Sequence, residues 1–297
     1  MDRNGWVVRL ASLVTSAVVV TGVVALTSQD SDAAPTGGTA SPAASSTTSS
    51  TAAATGSVAT GSSTTALDAV VADGRWSVSV LDLGTGASSS YGDTGTFDTA
   101  SIVKVDILAA LLWQHQQDGT ALADAERQAA TVMIERSDNA AATTLFAAVG
   151  GEDGLEAFNE RIGLTGTDVG ADGLWGLTQT TAADQVRLLD VVLGDGTVLD
   201  DDSRSLVERL MTGVVDAQRF GVTEAADDPD GSAVKVGYLQ RSTTGLWDVT
   251  SIGRVEVDGR TYLVAVLSDG NASLAEGAAL TGEVARAAVA DAGAGAI

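Results

Sequence analysis

Only two of the sixteen basic residues in this 297-residue chain are lysines, and each stands in a pattern that can do chemistry. Lys104 closes Ser101-Ile102-Val103-Lys104, and Lys235 opens Lys235-Val236-Gly237-Tyr238. A cation that only solvates a surface can be Arg, whereas only Lys sheds its proton readily on burial. Ser and Lys three apart share a face of a helix. A desolvated Lys104 among Ile102, Val103, Val105, Ile107 and Leu108 can take the Ser101 proton and leave an oxygen nucleophile for an acyl carbon. The same pattern also describes a surface lysine whose stem lies along apolar neighbours. Ser137-Asp138-Asn139 offers a second hydroxyl to relay a proton and an amide to orient a peptide-like substrate, and reads equally as a helix cap. On a strand, Lys235 supplies a point charge for a carboxylate, and Gly237 allows close approach at the strand edge.

Other chemistries are disfavoured by composition. A net charge of −23 leaves no basic patch for nucleic acid or for an anionic membrane surface. The absence of Cys removes disulfides, thiol nucleophiles and thiolate metal sites. His115 is the single histidine, so neither a histidine-built zinc site nor a Ser-His-Asp triad is expected. No metal or other cofactor is implied. Hydrophobic residues make up 44% of the chain, enough for a packed core.

The elements that must hold these residues begin after an export signal. Trp6 to Leu26 is almost wholly apolar with Arg3 and Arg9 at its start, so residues 1–27 read as a signal peptide or signal anchor. Residues 28–65 are rich in Ser, Thr, Ala and Gly and read as a flexible tether. Residues 66–297 are then one extracytoplasmic domain, expected to be monomeric, with membrane contact only through the N-terminal segment. With no Cys after the apolar run, no lipid-modified N-terminus is expected.

Within the domain, Leu67–Ala72 reads as the end of a short helix, and Trp76–Val80 and a segment near Tyr91 as strands. Helical patterns run at about Ser101–Gln117, with Asp98 or Thr99 as cap, then Ala121–Arg136, Ala140–Val149, Gly154–Ile162, Thr181–Leu193 and Asp202–Val214. Strands return at Ala233–Tyr238, Leu246–Val257 and Arg260–Ser268, with Asp258-Gly259 as a hairpin turn, and Leu274–Ala292 closes as a helix. The order predicts an α+β fold, an antiparallel sheet interrupted by a helical block.

In that order and spacing, Ser-x-x-Lys, Ser-Asp-Asn and Lys-x-Gly resemble the class A β-lactamase and penicillin-binding-protein superfamily over about Ala66 to Ala292. Asn139-Ala140-Ala141 leading to Gly150-Gly151, Ser251-Ile252-Gly253, and Gln218-Arg219-Phe220-Gly221-Val222 are similar to further family segments. The resemblance implies a five-stranded antiparallel sheet flanked by terminal helices, with an inserted all-helical subdomain. It implies Ser101 as nucleophile, Lys104 as its base and Ser137 as proton relay. Asn139 would hold the substrate amide, Lys235 and Gly237 would line its carboxylate side, and the N–H groups of Ser101 and Tyr238 would form the oxyanion hole. The implied substrate is a β-lactam or a peptidoglycan-derived D-alanyl amide or ester. Val236 departs from the usual Thr or Ser, and the interval from Ser101 to Ser137 is short. No Glu-x-x-Leu-Asn segment lies between Asn139 and Lys235, which leaves Asp172 as the one candidate base for hydrolysing an acyl-enzyme. Slow deacylation is therefore expected.

Overall fold

A computed structural model describes residues 65–295; the apolar N-terminal segment and nearly all of the tether lie outside them. Among the described residues no helix is long and apolar enough to cross a membrane. The sheet is antiparallel throughout, in the order β2-β1-β7-β6-β5. Its strands are β1 (Arg75–Asp82), β2 (Ser88–Gly92), β5 (Ala233–Gln240), β6 (Trp247–Val257) and β7 (Arg260–Asn271). Between β2 and β5 the chain builds a helical block: α1 (Val103–Asp118), α2 (Asp124–Glu135), α3 (Asn139–Ala148), α4 (Gly151–Ile162), α5 (Ala182–Leu193) and α6 (Asp201–Thr212). The last helix, α7 (Leu274–Gly293), returns to the sheet, where Gly277 lies flush against Val249 of β6. This is the α+β architecture expected. At the N-terminal end the helical residues shrink to a single 3-10 turn, Leu67–Ala69, followed by an extended Val70.

Local chemistry accounts for the boundaries. Asp138, Thr181, Asp200 and Ser273 each accept a backbone N–H from the first turn of α3, α5, α6 and α7. Gly119 and Gly163 end α1 and α4 in the left-handed conformation. Asp258 and Gly259, both left-handed, make the two-residue turn between β6 and β7, as the sequence requires. Every residue of α1 from Val103 to Leu112 is buried, so α1 is the axis on which the helical block packs.

The sequence does not foretell a two-stranded ribbon, β3 (Phe97–Asp98) paired with β4 (Gln179–Thr180). Strands of two residues carry no periodicity. This ribbon ties the approach to Ser101 to the loop before α5.

Buried in α1 beside α4 is Asp106, its carboxyl pushed up to about 7 by loss of hydration. Its Oδ1 and both polar atoms of the Asn159 amide lack a hydrogen-bond partner. A folded-state pKa above the unfolded value means the native protein keeps a proton that the unfolded chain has lost between about pH 4 and 7. Stability therefore falls as pH rises through that window. Asp106→Asn is expected to raise stability by roughly 4 kcal/mol at pH 8 and by far less at pH 4. Denaturant unfolding at the two pH values measures this; equal effects at both would show that Asp106 ionises normally.

Candidate active site

Ser101 does not begin an α-helix directly. It lies half-buried in a 3-10 turn, Ala100–Ile102, that runs on into α1. Neither Asp98 nor Thr99 caps it: Thr99 is already helical in backbone and no side chain accepts from the first turn. Asp98 is drawn instead into an ion pair with Arg241 and a hydrogen bond from Gln179. The backbone fixes the turn, with Thr99 N donating to Thr178 O at 2.8 Å and Thr250 Oγ1 donating to Thr99 O at 3.1 Å. Ala100 adopts φ +48°, a conformation that a non-glycine residue holds only where its surroundings enforce it.

Lys104 is fully buried, and its Nζ meets four oxygens: Ser101 Oγ at 3.0 Å, Ser137 O at 2.6 Å, Ser137 Oγ at 3.0 Å and Asn139 Oδ1 at 2.7 Å. Loss of hydration brings its pKa down to about 7, with the nearby Asp138 charge opposing the shift. The coordination suits a neutral amine. Ser137 O and the Asn139 carbonyl oxygen can only accept, so they take its two N–H groups. The lone pair is then left for a serine hydroxyl.

Ser137 is the second residue held in the left-handed conformation, at φ +56°. It turns both its carbonyl and its hydroxyl toward Lys104. Lys235 Nζ lies 3.1 Å from the same hydroxyl and 3.0 Å from Val236 O. Among the described residues Lys235 has no carboxylate partner, and dehydration, with Lys104 nearby, holds its pKa well below that of an exposed lysine. The expected residues Ser101, Lys104, Ser137, Asn139 and Lys235 thus form one connected cluster, hinged on the Ser137 hydroxyl.

Gly237 and Tyr238 follow on β5, the free edge of the sheet. A Cβ on Gly237 would lie 2.6 Å from Thr99 O, 2.6 Å from Thr250 Oγ1 and 2.7 Å from Ser101 N. The glycine admits the Ser101 backbone to the strand, where the sequence suggested close approach of a substrate. Gly237→Ala is expected to slow acylation about 100-fold, since an added methyl must push β5 off the Ser101 turn. Labelling rates with a fluorophosphonate, beside thermal unfolding to confirm the fold, measure this; a loss under threefold would mean the turn tolerates the shift.

Trp175 went unnoticed in the sequence. It projects from the loop between Asp168 and Thr178, which Asp168 and Gln179 close by paired backbone hydrogen bonds at 2.9 Å. Its ring centroid lies 5.1 Å from Lys104 Nζ, and its Nε1 donates to Thr143 Oγ1 at 3.3 Å. The one advance signal was an aromatic residue in the loop that also holds Asp172. Asp172, the candidate hydrolytic base, is exposed on the same loop in the left-handed conformation and hydrogen-bonds none of the cluster. An indole therefore faces Lys104 from this loop. Among the described residues, no carboxylate is hydrogen-bonded to Ser101 or Lys104.

A helical block seated on a five-stranded antiparallel sheet, with Ser, Lys, Ser and Asn gathered where the two meet, is the arrangement of β-lactamase-like serine hydrolases. The β-lactamase enzyme family matches residues 63–127 and 125–292, and the chain belongs to it. Among solved structures, a variant class A β-lactamase of the last common ancestor of Gram-negative bacteria superposes with a TM-score of 0.61 at 25% identity, covering 75% of this chain and 94% of that one. A β-lactamase of Chitinophaga pinensis shares the fold at 19% identity (TM-score 0.64; 74% and 95% covered). PBP-A, solved as an acyl-enzyme complex with penicillin G, does so at 21% identity (TM-score 0.62; 74% and 90% covered). A protein of Mycobacterium tuberculosis named "Putative lipoprotein LppW" is 33% identical over 174 residues, 55% of this chain and 54% of its own length. The chain thus spans about half the length of the curated relatives it matches.

Proposed function

We propose that this hydrolase works through an acyl-serine intermediate on Ser101, formed with a β-lactam, a D-alanyl amide or an ester. Neutral Lys104 takes the Ser101 Oγ proton as Oγ bonds to the substrate carbonyl carbon. The oxyanion rests on the backbone N–H groups of Ser101 and Tyr238. As the tetrahedral species collapses, the scissile C–N or C–O bond breaks and the proton passes from Lys104 through the Ser137 hydroxyl to the leaving nitrogen or oxygen. Asn139 orients the amide, and Lys235 bears on the reaction through the Ser137 hydroxyl that it contacts. The observation that carries this reading is the Ser137 hydroxyl, 3.0 Å from one buried lysine and 3.1 Å from the other. A proton can travel from Ser101 to a leaving group along that line without meeting bulk water.

Export fits the apolar N-terminal segment and the lipoprotein name borne by the mycobacterial relatives. The proposed anchor is the apolar segment itself.

The second step is expected to be slow. A water that attacks the acyl-enzyme needs a base, and Trp175 occupies the side of Lys104 from which a loop carboxylate would act. With a chromogenic cephalosporin the expected time course is a burst near one equivalent followed by slow steady turnover. Fast steady-state hydrolysis without a burst would overturn that expectation, and its loss in Asp172→Asn would assign the base to Asp172. A slow second step equally suits a D,D-peptidase or esterase with poor β-lactamase turnover, or a module that captures a β-lactam without releasing it.

A further inference from the structure

Beyond Gly237 the open edge of β5 is aromatic. Tyr238 pairs with Val249, and the Val249 side chain lies against Gly277 of α7, so Tyr238 stands on the α7 face while Gly237 abuts Ser101 from the other. Its ring lies 6.5 Å from that of Phe220 and 6.5 Å from that of Trp247, both tilted. Tyr238 is 40% exposed, the most open aromatic of the three, and sits one residue from the Ser101 backbone contact.

The charged groups near this edge are committed elsewhere, which leaves the Tyr238 hydroxyl, on the exposed ring, as the polar atom a substrate would meet. Val236 is buried and carries no hydroxyl. On β6 opposite it, the Ser251 hydroxyl accepts from Val222 N at 3.0 Å and donates to Phe220 O at 2.9 Å. Arg219, next to Phe220, is spent on the carbonyls of Thr212, Pro229, Asp230 and Ser232. Arg241, just past the end of β5, is paired with Asp98 and Asp248. The remaining cation, Lys235, is wholly buried and turned to Ser137 Oγ and Val236 O. A free carboxylate laid along this strand would meet a half-exposed apolar wall on a molecule of net charge −23.

We propose that Phe220, Tyr238 and Trp247 form a recognition wall for an uncharged aromatic or branched apolar group of the substrate. The site then prefers neutral esters and amides to substrates that carry a free carboxylate beside the scissile bond. This rests on the acyl-serine reading above and narrows its substrate class. An aromatic group seated on three rings gains contact area and tilted ring stacking, while a carboxylate loses hydration without gaining a cation.

The test uses the exported domain with active sites titrated by a fluorophosphonate. Two matched pairs are compared: benzylpenicillin with its methyl ester, and p-nitrophenyl acetate with p-nitrophenyl phenylacetate, the latter pair corrected for hydroxide reactivity. The methyl ester is expected to acylate at least tenfold faster than the free acid, and the phenylacetate at least tenfold faster than the acetate. Phe220→Ala, or Phe220→Leu should the alanine variant not fold, is expected to lower the phenylacetate-to-acetate ratio at least fivefold. Equal or faster acylation by the free acid, or a ratio unmoved by the variant, overturns the wall while leaving the acyl-serine reading in place. Failure of the fluorophosphonate to label any protein removes the acyl-serine reading, and the wall's role with it.

Discussion

Ser101→Ala is expected to abolish covalent labelling by a fluorescent penicillin or a fluorophosphonate, with mass spectrometry finding no adduct anywhere in the domain. In the native protein the adduct should map to Ser101 alone. Other hydroxyls near the cluster are engaged in ways that deny them the role. Ser137 Oγ is shared between two lysines and lies in a strained left-handed residue, and Thr250 Oγ1 is buried against Thr99 O. Ser101 combines partial exposure with a buried amine at 3.0 Å and a place in the 3-10 turn that runs on into α1, where unpaired N–H groups favour negative charge. Losing the nucleophile removes the covalent path entirely, so the expected effect has no floor but the reagent's background rate. An adduct that survives the substitution would place the nucleophile elsewhere.

Lys104→Arg is expected to slow acylation by a thousandfold or more, about 4 kcal/mol in the barrier. A guanidinium stays protonated at every accessible pH and cannot take the Ser101 proton. It also cannot reproduce a compact amine that reaches Ser101 Oγ, Ser137 O and Asn139 Oδ1 within 3.0 Å. The wild-type rate supplies a second readout. Because dehydration brings the Lys104 pKa down to about 7, the reactive neutral form is the minor species below that pH and the major one above it. Acylation should rise about tenfold per pH unit below neutrality and level off on the alkaline side. That limb should vanish in Lys104→Arg. A variant that retains acylation within about tenfold of wild type, with the limb intact, would reduce Lys104 to an electrostatic or structural residue.

The wall of aromatic rings and the buried base point the same way. Both lysines are dehydrated, one carbonyl oxygen and one amide hold Lys104 in place, and little around the cleft greets an anion. On the proposed reading the polar groups serve to move a proton, and substrate selection is left to shape and apolar contact.

Much of this was legible in the residues themselves. The scarcity of Lys marks Lys104 and Lys235 without any fold, and the almost entirely apolar pattern after Ser101 announces a helix, which the structure buries from Val103 to Leu112. Asp258-Gly259 names its hairpin, because a two-residue turn between right-twisted strands demands positive φ at both positions. Local signals of this kind work because backbone sterics and hydrophobic period act over a few residues.

Where local chemistry offered two uses for one side chain, only the tertiary structure chose between them. Asp98 was suited to cap the Ser101 turn, yet Arg241 and Gln179 arrive from distant segments and take its carboxylate. Gly237 was read as making room for substrate, but its missing Cβ makes room for the Ser101 backbone as well. Trp175 is one aromatic in a loop until β3 and β4 pair and carry it over Lys104, and Asp172 in the same loop stays exposed. The meeting of both lysines at the Ser137 hydroxyl joins residues 33 and 98 positions apart. Residue types and spacing state which groups can react; which of them meet, and how dry the meeting place is, depends on long-range packing that no sequence period encodes.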